Sequence, residues 1–265
     1  MPQHPLDEQR RIADFLDDRV ARIDQIIAAR RQQLLDTREA ARALVSSAVR
    51  RQDDALVPCR AKVDIRLGRQ RSPQHEQGDH MMPYLRSANI TDGRVLLDGV
   101  KRMNFSPQEQ RVFALAYGDV LVTEGSASPE AVGAAAAWRG ELSGTVCFQN
   151  TLLRLRPKQG YDPDFLEVWA RAAHYAKAPQ AFASGASILH LGAEGMGRIP
   201  IPLIDEHEQG RRTDRAREAL RASGLGERLI AHSIDLLTEY KSSLITAAVT
   251  GELDVTTASR RIPGE

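Results

Sequence analysis

The stretch CRAKVDIRLGRQR, residues 59–71, holds five cations (Arg60, Lys62, Arg66, Arg69 and Arg71) against one acid, Asp64. It runs into a glycine-containing loop and then Ser72-Pro73. Such a loop can present guanidinium forks, which match phosphate oxygens and the O6/N7 edge of guanine. Two other loops carry compatible groups. Thr123-Glu124-Gly125-Ser126-Ala127-Ser128 follows the apolar run DVLV and offers hydroxyls with little steric bulk. Gln149-Asn150-Thr151 sets amides beside Arg154 and Arg156. Asn and Gln bond adenine bidentately, and Glu accepts from the cytosine amine. The competing role for each of these residues is to satisfy its own loop backbone.

Other chemistries lack their parts. No GxxxxGK[ST], GxGxxG or GxSxG occurs, so neither a phosphate cradle nor a nucleophile elbow is indicated. Cys59 and Cys147 have no CxxC spacing and no matching histidine cluster, and read as two buried thiols. His75 and His80 lie in a polar loop, His4 and His207 precede long helical segments, and none falls on an HExxH frame. The chain therefore reads as a recognition module and not an enzyme, with no cofactor or metal of its own. Its 36 basic and 35 acidic side chains nearly cancel, so any nucleic-acid partner must be met by local charge. The N-terminus MPQHPLDEQRR has no apolar signal region, and no run of about 18 apolar residues exists. The expectation is a soluble cytoplasmic chain without a membrane partner.

The elements that must position these loops come in two kinds. Between residues 55 and 206, prolines and glycines punctuate short apolar runs such as MMPYLRSANI, GRVLLDGV, YGDVLVTEG and SGTVCFQNTLLRLRP, which predict strands. LEVWARAAHYAKA (166–178) predicts a helix, and LGAEGMGRI (191–199) a shorter helical segment. The middle of the chain is thus an α+β domain.

Its flanks are different. Residues 8–50 contain no Gly or Pro and are rich in strong helix formers. Alternating steps of four and three give the seam Leu16, Val20, Ile23, Ile27, Arg30, Leu34, Thr37, Ala41, Leu44, Ala48, in which only Arg30 and Thr37 are polar. That is coiled-coil patterning. A straight helix over this span is about 65 Å long and needs a partner helix to cover its seam.

The partner is in the same sequence. Adding 200 maps Glu8-Gln9 onto Glu208-Gln209 and Leu44 onto Leu244 without a gap. The seam carries over as Ala216, Leu220, Ser223, Glu227, Ile230, Ile234, Leu237, Lys241, Leu244 and Ala248. Ile230 and Leu237 replace the polar Arg30 and Thr37. Two glycines in ASGLGE (222–227) each cost about 1 kcal/mol relative to alanine, which predicts a break near 222–226.

Several segments together resemble the specificity subunit of Type I restriction–modification systems. They are PLDEQRRIADFLD (5–17), RLGRQRSP (66–73), PYLRSANI (83–90), GDVLVTEG (118–125), QNTLLRLRP (149–157), PIPL (200–203) and LLTEYKSSLITAAVTGELDV (236–255). Their order and spacing, more than any one of them, carry the likeness. The resemblance implies target-recognition domains alternating with two long helices that pack antiparallel. It implies double-stranded DNA and methyltransferase subunits as partners, with a restriction and translocation subunit joining through the complex. S-adenosylmethionine, ATP and magnesium would belong to those partner subunits. This sequence departs from the pattern by starting at the first helix, as a half-length or truncated chain would. A half-length chain could dimerise to supply two recognition domains. A second departure is GRRTDRAREALRASGLGE (210–227), which lacks the heptads intact at 12–24.

The expected organisation is a first helix at 8–50, a recognition domain at 51–206, a second helix at 207–255 and a disordered tail at 256–265. The expected DNA-contacting residues are Arg66, Arg69, Gln70, Arg71, Ser72, Arg86, Asn89, Thr123, Glu124, Ser126, Asn150 and Arg154. The expected helix interface is Leu16, Val20, Ile23, Ile27, Leu34 and Leu44 against Ile230, Ile234, Leu237 and Leu244. The competing reading is a coiled-coil scaffold without DNA specificity, or a truncated remnant.

Overall fold

The computed structural model describes residues 5–126, 128–185 and 189–255; the expected tail at 256–265 lies outside them. The fold is α+β. Six helices are described: α1 (Leu6–Val49), α2 (Pro107–Phe113), α3 (Pro163–Tyr175), α4 (Ala178–Phe182), α5 (Gly192–Arg198) and α6 (Glu206–Thr250). Thirteen short strands lie between the two long helices: β1 (Leu56–Pro58), β2 (Val63–Leu67), β3 (Met81–Leu85), β4 (Ile90–Thr91), β5 (Arg94–Val95), β6 (Lys101–Asn104), β7 (Val120–Thr123), β8 (Gly125–Ser126), β9 (Ala135–Ala137), β10 (Cys147–Phe148), β11 (Leu152–Pro157), β12 (Leu189–His190) and β13 (Pro200–Pro202). Among the described residues no helix is long and apolar enough to cross a membrane. Two compact units emerge, one of residues 1–41 with 220–265 and the other of 42–219. Their boundaries fall inside α1 and α6, because the inner ends of both helices pack with the strand-rich unit.

The first unit is an antiparallel helix pair. Arg38 meets Glu227 at 2.8 Å, and Asp24 meets Lys241 at 2.6 Å. Fourteen residues forward on one helix are therefore fourteen back on the other. Combined with the 200-residue repeat, this register places a local two-fold axis beside residues 32–33 of α1 and 232–233 of α6. Ile23, Ile27, Leu237 and Leu244 are buried together, with Leu16 and Ile234 partly buried against them. Val20 and Leu34 are half-buried, and Ile230 is buried at 8% exposure. The polar seam positions are used as well, since Glu227 and Lys241 make the two inter-helix ion pairs.

Two expectations about the helices fail. Leu44 is 58% exposed, and Val45 and Val49 are buried in its stead. From Ala41 onward the apolar step is four and four, not four and three, so the seam rotates away from Leu44 as α1 enters the second unit. The break at 222–226 is absent too, and α6 is helical throughout Glu206–Thr250. Ser223 is buried, with its hydroxyl donating to Glu227, and Gly226 lies against Thr37 of α1, so packing offsets the propensity cost.

In the second unit, the four-stranded antiparallel sheet β2-β11-β7-β9 carries α3, whose Phe165, Leu166 and Trp169 are buried. Asp162 caps α3 by accepting from Phe165 N–H at 2.8 Å, and Pro163 supplies a preset first turn. A three-stranded sheet, β10-β3-β6, buries Tyr84, Met103, Phe105 and Cys147 in one cluster. Leu85, Leu121, Trp138, Phe148 and Leu152 form the cluster that joins the sheets. Cys59 and Cys147 are fully buried, and desolvation pushes both thiols up to about 12. At the foot of the unit, Arg212 clamps Asp54 bidentately at 2.5 and 2.7 Å, bonds Glu208, and donates to the Val49 carbonyl at 3.0 Å. Gln209 accepts from Asp162 N–H at 2.7 Å and donates to the Gly160 and Ile204 carbonyls. The Glu208-Gln209 pair, seen in the sequence as half of a repeat, is what fastens α6 to this unit.

Candidate nucleic-acid interface

Four segments of the second unit are stitched together by backbone hydrogen bonds at one edge of its sheets. Gly68 donates to the Leu152 carbonyl at 3.0 Å, Arg69 N–H to Phe148 at 3.1 Å, and Asn150 N–H to Arg69 at 3.0 Å. Gln149 N–H donates to Leu85 at 2.9 Å and Glu124 N–H to Thr151 at 2.9 Å. The Thr151 hydroxyl accepts from Ser87 N–H at 3.0 Å. Thr151 thus ties loops 86–88 and 124–126 to its own loop 149–151, while Phe148, Asn150 and Leu152 beside it bind loop 68–72, so the four loops converge around it. Gly68 is required here: a Cβ at that position would lie 2.2 Å from the Gln149 carbonyl oxygen and 2.8 Å from the Phe148 ring. Loops anchored in this way hold their side chains in a fixed arrangement, which is what a recognition surface needs.

The expected contact residues divide into two groups. Arg66, Gln70 and Arg71 are exposed, and Ser72, Arg86, Ser126 and Asn150 are half-buried. Arg71 pairs with Glu76 at 2.6 Å, but both are about half exposed, so the pair is worth under about 1 kcal/mol and can yield to a phosphate. The Nε of Arg86 is buried without a hydrogen-bond partner, as is that of Arg154.

The other group is internal, and corrects the expectation. Arg69 is 8% exposed; its guanidinium bonds Glu109 at 2.6 Å and the Asn104 carbonyl at 2.7 Å and lies over the Phe105 ring. Burial opposes ionisation of Glu109, yet hydrogen bonds from Ser106 and the charge of Arg69 hold its carboxyl below the usual range. Arg154 is 4% exposed, donates to the Val112 and Ala114 carbonyls and pairs with Asp64 at 3.2 Å. Desolvation lowers the Arg154 pKa. Asn89 is fully buried; its amide donates to the Leu96 and Asp98 carbonyls while its Oδ1 accepts from Arg86 N–H. Thr123 is buried at the end of β7, and Glu124 is 7% exposed, bonded to His190 and to Gly192 N–H. These five side chains are buried within the unit. The sequence gives no sign of the part Thr151 plays, although it lies in QNT; a threonine after two amides does not reveal that its hydroxyl and carbonyl tie two other loops to its own.

No protein-family model matches the chain, and no curated protein does. Among solved structures, a chain from work on complex assembly and conformational transition of the type I R-M system aligns with a TM-score of 0.76 at 19% identity, covering 96% of this chain and 62% of that one. The HsdS subunit from Thermoanaerobacter tengcongensis aligns with a TM-score of 0.57, also at 19% identity, covering 96% and 61%. The chain therefore has the fold of type I restriction–modification specificity subunits, and it spans about three-fifths of the length of these two structures.

Proposed function

We propose that this chain is the DNA-addressing subunit of a type I restriction–modification complex and is not itself catalytic. The observation that carries the proposal is the loop cluster around Thr151, where Gln70, Arg71, Arg86, Ser126 and Asn150 present guanidinium, amide and hydroxyl groups from strand ends. Guanidinium groups bind phosphates and guanine, and amides bind adenine, so this set suits the major groove of a duplex. The fold supports the same reading. In it, methyltransferase subunits bring S-adenosylmethionine chemistry, and a restriction subunit brings ATP- and magnesium-dependent translocation, in the cytoplasm of a bacterial or archaeal cell.

The helix pair is the natural place for those subunits to dock. Leu225, Leu229 and Leu236 on α6 are 54%, 63% and 51% exposed and share a face by their spacing of four and seven. This is a second apolar stripe beside the one that α1 covers. One recognition domain reads one half of a bipartite site.

Co-expression with the methyltransferase subunit, followed by mapping of modified bases across the host genome, tests the proposal. A defined sequence motif is expected, and a symmetric bipartite motif would mark a homodimer. Absence of modification, or modification without a motif, favours the scaffold reading and removes the DNA-addressing one.

A further inference from the structure

The Glu124 carboxylate does not reach outward, and what it holds instead is an imidazole at the surface. Glu124 Oε2 lies 3.1 Å from His190 Nδ1, while Oε1 accepts Gly192 N–H at 3.3 Å. The His190 side chain is 58% exposed, against 9% for Glu124. Its backbone is fixed on both sides: His190 pairs with Gly125 through β12 and β8, and exchanges hydrogen bonds with Ser184 at 2.8 and 3.0 Å. A Cβ on Gly125 would stand 2.9 Å from Nδ1 and 3.2 Å from Cε1, so the ring lies against bare glycine backbone. An exposed side chain is ordinarily free to change rotamer, and this one is pinned by a buried acid, a glycine and two backbone pairings. Glu124 N–H donates to the Thr151 carbonyl, which puts the arrangement one residue from the hub of the loop cluster.

The pinning also selects a tautomer. A carboxylate only accepts, so the hydrogen shared with Glu124 sits on Nδ1, and the neutral ring is left with the lone pair of Nε2. An acceptor at the surface of a DNA reader recognises a donor. In the major groove the donors are the exocyclic amines, N6 of adenine and N4 of cytosine. We propose that His190, oriented by Glu124 and Gly125, is a specificity-determining residue that accepts a hydrogen bond from the exocyclic amine of one base in the target. This rests on the DNA-addressing reading above.

The test is selection from a randomised duplex library at pH 8, using the full chain co-purified with its methyltransferase subunit. The unaltered chain should enrich a motif with one position restricted to adenine or cytosine that depends on His190. His190→Ala should lose roughly three- to tenfold of the preference at that position and keep the others, the worth of one net hydrogen bond. Gly125→Ala, which crowds the ring while leaving it present, should act at the same position. Glu124→Gln is the sharper variant. Its carboxamide oxygen keeps Gly192 N–H and its NH2 donates to Nδ1, which moves the ring hydrogen to Nε2. The preference should then swing to a base with an acceptor, guanine or thymine, an outcome that a structural role for Glu124 does not produce. An unchanged motif in His190→Ala overturns the inference and leaves the DNA-addressing reading standing. So does an equal loss at every position with a shallower salt dependence, which would mark a phosphate contact. No enriched motif for the unaltered chain overturns the parent reading.

Discussion

Arg69 and Arg86 have the same side chain and different surroundings. The Arg69 guanidinium lies in the interior against Glu109, the Asn104 carbonyl and Phe105. Its removal leaves a carboxylate without its cation, so Arg69→Ala should destabilise the second unit by about 2–4 kcal/mol. Both tryptophans, Trp138 and Trp169, are buried in that unit, and urea unfolding followed by their fluorescence measures the loss. Arg86 is half-buried and makes no ion pair among the described residues, so Arg86→Ala should leave the urea midpoint nearly unchanged. It should weaken duplex binding and reduce the slope of log affinity against log salt by about 0.9 if it holds one phosphate. Binding equal to the unaltered chain would take Arg86 out of the interface. Residue type flagged both arginines in the sequence and could not separate them. The difference lies in the bridge between Arg69 and Gln149, a pairing between segments eighty residues apart. That long-range register turns Arg69 inward and leaves its neighbours Gln70 and Arg71 outside.

At the scale of elements, the helices were legible because their period is local, and the loops were not because their geometry is long-range. The 4–3 seam anticipates the antiparallel pair closely in α6, where Ala216, Ser223, Ile230, Leu237, Leu244 and Ala248 are all buried. It fails at Leu44, where the buried stripe of α1 shifts to Val45 and Val49. It fails again at ASGLGE, where propensity was weighed without the neighbouring helix. A Cβ on Gly224 would come only within 3.7 Å of the Arg228 guanidinium, and one on Gly226 within 3.7 Å of Thr37 Cγ2. Both are ordinary van der Waals contacts. Gly224→Ala and Gly226→Ala should therefore each stabilise the pair by up to about 1 kcal/mol, by restricting the unfolded chain and restoring helix propensity. Amide exchange through 222–226 should be as slow as through 234–246 in the unaltered chain. Fast exchange confined to 222–226 would restore the hinge that the glycines suggested from sequence.

For the molecule as a whole, acid is the condition that should act on the second unit through its arginine clamps. Hydrogen bonds from Arg212 hold Asp54 below the usual carboxylate range, and those from Arg212 and Arg211 push Glu208 down to about 2. Asp164 is desolvated, which opposes ionisation, yet Arg217 and Arg139 keep its carboxyl low as well. Once unfolded, the same groups take up protons near pH 4. The unfolded chain therefore binds more protons than the folded one as pH falls from about 4 toward 2, and stability falls with it. The contribution of these clamps is fully present above pH 4 to 5 and lost as pH drops through the folded values. The urea midpoint read by tryptophan fluorescence should be flat from about pH 5 to 6 and fall steeply below 4. Arg212 is common to Asp54 and Glu208 and is itself buried, at 3% side-chain exposure. Arg212→Met should lower the midpoint at pH 6 by taking the guanidinium from Asp54 and leaving Glu208 to Arg211 and Arg51, and should flatten the acid limb, because both carboxylates then titrate closer to their unfolded values. An acid limb as steep as in the unaltered chain would mean that the clamp at the foot of α6 is not what ties this unit to its charge state.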